Sequence, residues 1–419
     1  MKITLLCYGS RGDVQPFLAL AVGLQKAGHE PLLAAPAFFS RFASEQQVSF
    51  HSLPGDPAEI SLAVNDAGAN PLGMIRSIRE YVLQIAPDVV TECRAALQDA
   101  GMVIHSFLFT TGGYSLAVEM GIPDISVQFF PMFAPTGAFP NVALPWLPKG
   151  FPSWFSHWMA TQVFWYGGNS GVRSIRKHLQ PGQLPELRWP FKRKDDRKVT
   201  PLVIACSPSV LPRPVEWNPQ DIHLPGYFFL EDPNYQPPPS LVQFLADGEA
   251  PICITFGSTV NRESSRIRDM IFSAVEKCKQ RAVMLTGWGG NIDKDLPAGI
   301  LAIEEAPHSW LLPQCRAVIH HGGVGSTAAG LRAGIPNIVV PSAGDQAFWG
   351  KRVADLGAGP EPIKLQRMTE ERLMDAIQQV LHDLHMQERA SLLGESIRTE
   401  DGVGETVRLV EHTLNKWKY

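Results

Sequence analysis

The stretch AVIHHGGVGSTAAGLRAGIPNIVV, residues 317–340, carries a strand, a turn, a helix and a second strand in succession. Ala317–His320 is a short apolar run typical of a buried strand, and consecutive glycines follow it. A helical pattern begins at Ser326, and Asn337–Val340 is a second apolar run. Two buried strands connected through a helix predict parallel strands in a sheet that is covered on both faces.

Both halves of the chain repeat this alternation of strands and helices. The predicted strands are Ile3–Tyr8, Glu30–Ala35, Met102–Ser106, Ile125–Phe130, Ile252–Phe256 and Ala282–Leu285. The predicted helices are Val14–Gly28, Tyr114–Met120 and Arg266–Lys279, with further helical pattern from Glu370 onward. The fold class is therefore predicted to be α/β, with two doubly wound, Rossmann-like domains and a cleft between them.

A proline-rich segment separates the two halves. The sequence GYFFLEDPNYQPPP, Gly226–Pro239, indicates an extended linker, because consecutive prolines cannot continue a helix or a central strand. We assign residues 1–225 to an N-terminal domain, 226–240 to the linker and 241–419 to a C-terminal domain. The last helix is the one element that we allow to pack back on the N-terminal domain.

Composition narrows the class of protein. The 419 residues are 45% hydrophobic and 19% charged, which is typical of a folded protein, and the net charge of -4 argues against a nucleic-acid partner. Six cysteines without CxxC pairs predict reduced thiols, and no signal peptide or apolar run of about 18 residues is evident. We expect a cytoplasmic protein. The acidic pair Asp195-Asp196 lies in a basic stretch and is interpreted as solvated surface, so no metal site is expected.

The glycine-rich turn at 322–325 has the chemistry of an anion site. Glycines let the backbone approach a charged group closely, and the first amides of the following helix lack internal partners at its positive end. A diphosphate fits such a site. A tight turn with a Ser or Thr cap explains the same residues about equally well. The neighbouring histidines and a later Gly-Asp-Gln favour the anion site.

The wider pattern resembles a known family. HHGGVGST followed by GDQAFWGKRVADLGAGP, within Ala306–Pro360, resembles the nucleotide-sugar signature of GT-B glycosyltransferases that use uridine diphosphate sugars. The opening GSRGDVQP and the central PMFAPTGAFPN resemble the sterol glucosyltransferases and their bacterial relatives, which include antibiotic aglycone glycosyltransferases. The resemblance covers both halves of the chain, and it implies that the N-terminal domain (1–225) binds the acceptor and the C-terminal domain (241–419) binds the nucleotide sugar.

The resemblance implies a complete donor site. It assigns the diphosphate to His321, Gly323, Gly325, Ser326, Thr327 and Ser258. It assigns the sugar hydroxyls to Asp345 and Gln346, and the base and ribose to the region of Ala306, His308 and Trp310. The donor is expected to be a UDP-sugar, with UDP-glucose first, and no permanently bound cofactor is expected.

The resemblance also implies the chemistry. Asp13, in the Gly-Asp turn after the first strand, is the expected general base, taking the acceptor proton in an inverting displacement. The structural alternative is that Asp13 is the N-cap of the helix, a position at which Asp is favoured. His105 is the next candidate for the base. His29 is interpreted as structural.

An apolar acceptor needs an apolar pocket with a few polar anchors. The residues assigned to it are Ser10, Arg11, His105, Phe130, Met132, Phe133, Phe139 and Trp349. Half or more of the aromatic residues between Phe130 and Tyr166 could instead pack in the core. The charge-poor helix predicted at Trp154–Tyr166 resembles an interfacial helix, which leaves peripheral membrane contact open.

The predicted function is transfer of a sugar, with glucose expected, from a UDP-sugar to a hydroxyl of an apolar acceptor such as a sterol. One alternative is a glycosyltransferase of an antibiotic or polyketide aglycone or a hydroxy-lipid, using another UDP- or dTDP-sugar. The alternatives from other classes are a sugar-nucleotide epimerase and a catalytically silent auxiliary protein. GSRGDV lacks the GxGxxG spacing of a nicotinamide dehydrogenase.

Overall fold

The computed structural model describes residues 1–56, 59, 71–171, 200–256, 264–287 and 296–417. The chain divides into two compact units. The first consists of Met1–Leu230 together with Glu400–Tyr419, and the second of Glu231–Thr399. The chain thus leaves the first unit within the predicted linker, and its last helix belongs to the first unit.

The first unit contains a sheet of seven parallel strands in the spatial order β3-β2-β1-β4-β5-β6-β7. The strands are β1 (Lys2–Leu6), β2 (Glu30–Pro36), β3 (Ser49–Leu53), β4 (Met102–Ser106), β5 (Asp124–Gln128), β6 (Leu202–Ile204) and β7 (Ile222–His223). Its helices are α1 (Arg11–Lys26), α2 (Ser40–Glu45), α3 (Pro71–Ala96), α4 (Thr110–Met120) and α5 (Phe151–Gly171). Every residue of β4 and β5 is buried, as expected for central strands of a sheet covered on both faces.

The second unit contains five parallel strands in the order β10-β9-β8-β11-β12. The strands are β8 (Ile252–Thr255), β9 (Ala282–Leu285), β10 (Ile300–Ile303), β11 (Ala317–His320) and β12 (Asn337–Val339). Its helices are α6 (Pro239–Ala246), α7 (Ser264–Lys277), α8 (His308–Leu311), α9 (Val324–Ala333), α10 (Gln346–Asp355), α11 (Glu370–His382) and α12 (Leu384–Arg398). The predicted α/β class with two doubly wound domains is confirmed.

The final helix, α13 (Gly402–Trp417), packs against α1. A Cβ on Gly23 of α1 would overlap the side chain of Val403, so the two helices are in close contact there. The entry into α13 is anchored as well. Glu400 Oε1 accepts hydrogen bonds from Ser207 Oγ at 2.6 Å and Ser209 Oγ at 3.2 Å. The C-terminal helix therefore completes the fold of the first unit.

Several element bounds differ from those predicted. Helix α4 begins at Thr110 rather than at the predicted Tyr114, so Gly112 and Gly113 lie within the helix. Gly113 is required there, because a Cβ would lie 2.6 Å from the Cβ of His105 on the strand beneath. Strand β5 begins at Asp124, whose carboxylate is buried and hydrogen-bonded. Within the described residues, no helix is both long and apolar enough to span a bilayer.

Candidate functional site

The glycine turn of the second unit is fixed by a buried histidine. His320, at the end of β11, accepts a hydrogen bond at Nδ1 from the backbone N–H of Gly322 at 3.0 Å. Its Nε2 lies 3.0 Å from Asn337 Oδ1, so Nε2 carries the proton and donates it. Burial lowers the pKa of His320 to about 3, and the ring is therefore neutral. Its role is to shape the turn.

Gly322 lets the backbone of the turn lie in close contact with strand β12 and with the start of helix α10. Its φ is +92°, and a Cβ there would lie 2.6 Å from Val339 Cγ1 and 3.0 Å from the carbonyl oxygen of Gln346. Only glycine combines this backbone conformation with so close an approach. The structure thereby brings together the turn assigned to the diphosphate and the Asp345-Gln346 pair assigned to the sugar.

We expect Gly322→Ala to lower the free energy of unfolding by about 2–3 kcal/mol, since backbone strain and overpacking both contribute. Gly344→Ala is the matched control. Gly344 also has positive φ, at +63°, but a Cβ there meets no atom within 4 Å. The control should lose only about 1 kcal/mol. Denaturant unfolding of both variants checks this, and equal losses would show that the close approach is unimportant.

The amino end of α9 offers free backbone donors. Its N-cap is Gly323, which has no side chain to cap the helix. The first amide seen to bond within the helix is that of Thr327, which donates to the carbonyl of Gly323 at 3.0 Å. The amides of Val324, Gly325 and Ser326 therefore have no partner within the helix. They can donate to a ligand at the positive end of the helix dipole. This is the geometry of a phosphate site.

Three of the predicted diphosphate residues need comment. The hydroxyl of Thr327 is buried and donates to the carbonyl of Gly323 at 3.0 Å, so it is engaged within the helix and the predicted role as a hydroxyl donor is not met here. Ser258 lies outside the described residues. Gly325 is exposed, and a Cβ there would meet no atom within 4 Å.

His321 lies over the helix end. A Cβ on Gly323 would overlap His321 Nε2, so the imidazole covers the first residue of the turn into α9. Nδ1 of His321 is buried without a hydrogen-bond partner among the described residues. Burial lowers the pKa of His321 to about 4, which keeps the ring neutral near pH 7. A neutral imidazole can donate one hydrogen bond to a diphosphate oxygen without carrying a charge.

These lowered pKa values predict a loss of stability in acid. An unfolded histidine binds a proton below its ordinary pKa of about 6.5, whereas folded His320 and His321 stay neutral down to about 3 and 4. The unfolded state therefore binds more protons in this window, and stability falls as pH falls through it. Each group should cost at most about 2 kcal/mol between pH 7 and pH 5.

His321→Gln removes one of these groups, so its free energy of unfolding should fall less than that of the parent between pH 7 and pH 5. Denaturant titrations at the two pH values, without ligand, measure the difference. His385→Gln is the control, because His385 is exposed on α12. A pH dependence in His321→Gln identical to the parent would contradict a neutral His321 with a lowered pKa.

The Asp345-Gln346 pair stands at the start of α10 and is held rigidly. Asp345 Oδ2 accepts a hydrogen bond from Trp349 Nε1 at 2.7 Å. Gln346 Oε1 accepts from the backbone N–H of Ser342 at 2.8 Å and of Ala343 at 3.2 Å. The hydrogen bonds that described residues make with the Gln346 side chain all end on Oε1, which leaves Nε2 as a donor for a ligand.

Trp349 does not line an acceptor pocket, contrary to the prediction. Its side chain is fully buried in the second unit, and its indole N–H holds Asp345. Trp349 therefore positions a residue assigned to the sugar. Burial of a large aromatic ring with its one polar atom satisfied is typical of a core tryptophan.

The region assigned to the nucleotide base is the short helix α8. Ala306 is buried just before it, and Trp310 packs edge-to-face on Tyr235 with ring centroids 5.4 Å apart. Trp310 is thus half-buried against the apolar cluster of this unit. His308 is the first residue of α8 and is half-buried.

In the first unit, the turn GSRGD places a carboxylate at the amino end of α1. Ser10 is the N-cap and Asp13 is the third helical residue, so Asp13 takes part in capping as the partner of Ser10 in a capping box and not as the N-cap itself. Asp13 Oδ2 accepts from the Ser10 backbone N–H at 2.8 Å and from Ser10 Oγ at 2.9 Å. Gly9, with φ at +129°, leaves room for the carboxylate.

Desolvation raises the pKa of Asp13, and the two hydrogen bonds from Ser10 oppose that shift. A carboxylate with a raised pKa is a better proton acceptor than an ordinary aspartate. Only Oδ2 receives the hydrogen bonds from Ser10. The geometry thus combines a helix-start role for Asp13 with the properties of a general base.

Arg11 turns toward helix α2. Its Nε donates to Gln15 Oε1 at 2.9 Å, and its guanidinium lies 5.1 Å from the ring centre of Phe42. The side chains of Arg11, Gln15 and Phe42 border a small, partly open pocket. The pocket is lined by Arg11, Val14, Gln15, Leu18, Leu33, Phe39 and Phe42. The sequence interpretation missed Phe39 and Phe42; the aromatic run after the second strand was the available signal.

His105 is buried and cannot meet an acceptor in this structure, which corrects its assignment to the acceptor pocket. Its Nε2 lies 3.1 Å from Asp124 Oδ2, and Asp124 Oδ1 accepts from Thr200 Oγ1 at 2.9 Å. This network joins adjacent strands of the sheet. Its role is therefore to hold polar groups together within the core.

The predicted aromatic acceptor residues divide into core and partly exposed positions. Met132 and Phe133 are buried, so they belong to the core, whereas Phe130 and Phe139 are half-buried. Phe107 lies at the centre of an aromatic cluster, with ring distances of 5.0 Å to Phe130, 5.3 Å to Phe133 and 4.8 Å to Phe164. Phe107 was not singled out from the sequence, because it lies between β4 and α4, outside the aromatic segment that begins at Phe130.

In the part of the chain that the structure describes, no cluster of three or more His, Cys, Asp or Glu side chains could hold a metal ion. The Asp195-Asp196 pair lies outside the described residues. All six cysteines are described, and all are buried free thiols.

Residues in both units match models of known protein families. Residues 3–121 match the glycosyltransferase family 28 N-terminal domain, and residues 283–411 match the erythromycin biosynthesis protein CIII-like C-terminal domain. A sterol 3-beta-glucosyltransferase of Arabidopsis thaliana is 34% identical over 97% of this chain, which spans 65% of that relative's length. The O-mycaminosyltylonolide 6-deoxyallosyltransferase of Streptomyces fradiae is 32% identical, with 98% of this chain and 97% of the relative covered.

Solved structures share the fold at low sequence identity. The calicheamicin glycosyltransferase CalG4 matches with a TM-score of 0.73 and 17% identity, covering 99% of this chain and 98% of its own. The Streptomyces sp. SF2575 glycosyltransferase SsfS6, complexed with thymidine diphosphate, matches with a TM-score of 0.64 and 18% identity, covering 98% and 99%. At these identities the likeness is one of fold.

Proposed function

We propose that this chain, which belongs to the GT-B glycosyltransferases with family 28 and erythromycin CIII-like domains, moves glucose from UDP-glucose to a hydroxyl of an apolar acceptor such as a sterol. The sterol 3-beta-glucosyltransferases among its relatives support this acceptor and sugar. The chain spans 65% of the Arabidopsis relative and 28% of the Candida albicans one.

The observation that carries the proposal is the convergence at the start of α9. Free helix amides at 324–326, neutral His321 and the Asp345-Gln346 pair meet around Gly322, which contacts Gln346 directly. Amides at a positive helix end suit a diphosphate, and a rigid carboxylate beside an amide donor suits sugar hydroxyls. This combination supports a nucleotide-sugar donor.

The proposed reaction is a single displacement with inversion. Asp13 takes the proton of the acceptor hydroxyl while that oxygen forms a bond to the anomeric carbon. The bond from the anomeric carbon to the diphosphate oxygen breaks, and its electron pair leaves with the diphosphate. The amides of α9 and His321 stabilise the charge that develops there. The proton ends on Asp13, and no metal ion is needed in this scheme.

A second candidate is transfer of a different sugar to a macrolide or polyketide aglycone. The Streptomyces fradiae relative, which matches this chain over nearly its whole length, favours it, as does the erythromycin CIII-like C-terminal domain.

Six buried free thiols support the further proposal that the enzyme works in the reducing cytoplasm.

The test is a matrix of donors and acceptors. UDP-glucose and a dTDP-deoxysugar are each combined with a 3-hydroxysterol and with a macrolide aglycone, and the product is detected by mass, with and without chelator. We expect the UDP-glucose and sterol pair to give the highest rate, unchanged by chelator. Product only from the dTDP-sugar and aglycone would favour the second candidate, and no product from any pair would reject both.

A further inference from the structure

Helix α5 and the loop before it expose a continuous set of large apolar side chains, which we call the aromatic face. Every member is at least 38% exposed, and Trp146 and Phe151 reach 69% and 72%. Its members are Trp146, Phe151, Trp154, Phe155, Trp158, Met159 and Val163. Large apolar patches on a protein surface mark sites of interaction.

The rings of the aromatic face stack on one another. Phe151 lies 6.2 Å from Trp154 and 6.0 Å from Phe155, and Phe155 lies 5.6 Å from Trp158, measured between ring centres. The ring planes in each pair are within 24° of parallel. Spacings of three and four residues place these side chains on one side of the helix.

The opposite side of α5 is polar and buried. Ser153, Ser156, His157 and Thr161 are all at most 3% exposed. Their hydroxyls and ring nitrogens find partners: Ser153 Oγ donates to the Pro148 carbonyl at 2.7 Å, and His157 Nδ1 lies 3.2 Å from Asn141 Nδ2. The first part of α5 is thus inverted, since a surface helix ordinarily turns its apolar side inward.

The inversion shows that exposure of the aromatic face is built into the fold. Ser156 and His157 bond to buried Asn141, so rotating the helix to bury the aromatic face would leave the Asn141 backbone N–H and side-chain amide without these partners in the core. The aromatic side chains therefore stay outside and require a partner that is itself apolar at its surface.

Charge identifies the class of partner. Residues 146–171 contain no Asp or Glu, and Lys149 is their one Lys or Arg. The sequence that follows, residues 172–198, has nine Lys or Arg and three Asp or Glu, although the whole chain has a net charge of -4. That segment lies outside the described residues and contributes here only its charge. Aromatic side chains beside a positive segment match a bilayer interface that carries anionic lipids.

We propose that the aromatic face docks on the surface of an anionic lipid bilayer, with α5 lying in the plane of the interface. Tryptophan and phenylalanine side chains enter the boundary between head groups and acyl chains, and the basic segment adds attraction to the anionic head groups. The inference rests on the structure of α5 and is read out by vesicle binding, so it stands or falls separately from the sugar-transfer reaction.

The experiment is cosedimentation of the full chain with vesicles of phosphatidylcholine, alone or mixed with phosphatidylglycerol. The chain should bind the mixed vesicles more tightly, and the difference should shrink as salt is added. Trp154→Glu/Phe155→Glu should weaken binding at least roughly tenfold, because charged side chains oppose insertion of the face. Leu384→Glu/Leu392→Glu, on the second unit, should bind as the parent does.

This control matches the test variant in kind. Leu384 and Leu392 are 74% and 55% exposed, and the double substitution changes the net charge by the same amount. Melting temperatures of both variants verify the fold. Quenching of the parent's tryptophan fluorescence by brominated lipids supplies a readout that needs no variant, and we expect it to occur.

Three results would overturn the proposal. The first is a parent chain that binds neither kind of vesicle and is not quenched. The second is equal binding by the parent and by Trp154→Glu/Phe155→Glu, which would make the basic segment sufficient. The third is a parent dimer that this variant converts to a monomer, with no vesicle binding by either, which would make the face an interface between copies of the chain.

Discussion

Turnover by Asp13→Asn is expected to fall by roughly 10²–10⁴-fold, the range for losing a general base, while donor affinity stays essentially unchanged. Asparagine keeps the size of the side chain and an oxygen that accepts from Ser10, so the start of α1 is preserved. What it loses is the ability to take a proton. Initial rates at saturating donor, with melting temperatures alongside, make the measurement.

The control is Asp383→Asn, at the start of α12. Asp383 also has a helix-start role, accepting from the Met386 backbone N–H at 3.0 Å, but it has no proposed part in the reaction. Both variants should lose little stability, and only Asp13→Asn should lose turnover. A fully active Asp13→Asn would leave Asp13 with its helix-start role alone. His105 would then be a poor substitute, since it is buried and paired with Asp124.

His321→Ala is expected to lower kcat/KM by roughly 10²–10³-fold, as observed when one donor to a developing negative charge is removed. Its imidazole covers the amino end of α9 and has an unpartnered buried Nδ1. The same substitution should reduce the rise in melting temperature that UDP produces in the parent, because a ligand that binds the folded state less tightly stabilises it less.

Two further variants separate binding from folding. His385→Ala, on the exposed side of α12, should keep both kcat/KM and the UDP-induced rise. His321→Gln retains a donor and should recover part of the activity that alanine loses. If His321→Ala keeps normal kinetics and a normal response to UDP, the diphosphate site does not depend on this residue.

The sequence predicted the parallel strands best where they are short, apolar and buried. Strands β4, β9 and β11 have the predicted bounds, because each begins with three or more consecutive apolar residues that are mostly buried in the sheet. Strand β3 (SFHSL) was not predicted, since its polar residues and partial exposure leave no such run. Strand β3 is held at the sheet edge by its pairing with β2, and a pairing between two separate strands cannot be predicted from the local sequence pattern of either.

The donor-site residues were assigned through the resemblance to a known family. In the structure, the glycine turn follows β11 and the Asp345-Gln346 pair follows its neighbour β12, and strand ends of a parallel sheet meet at one edge. The roles of single residues were harder to predict. Trp349 and Thr327 look like ligand contacts in a motif, yet their polar atoms are used by Asp345 and Gly323. The inverted polarity of α5 was also missed, because the partners of its buried serines and histidine come from tertiary contacts.

The contact between Gly23 and Val403 determines where this chain can be recombined with a relative. Exchanging everything after residue 230 would give α1 a foreign terminal helix, mismatched to the glycine that Val403 covers. A hybrid joined at 230/231 and again at 399/400 keeps residues 400–419 with the strands and helices they stabilise. Such a two-junction hybrid should take its sugar and nucleotide preference from the relative that supplies the residues equivalent to 231–399. It should keep the acceptor preference of the chain that supplies the rest.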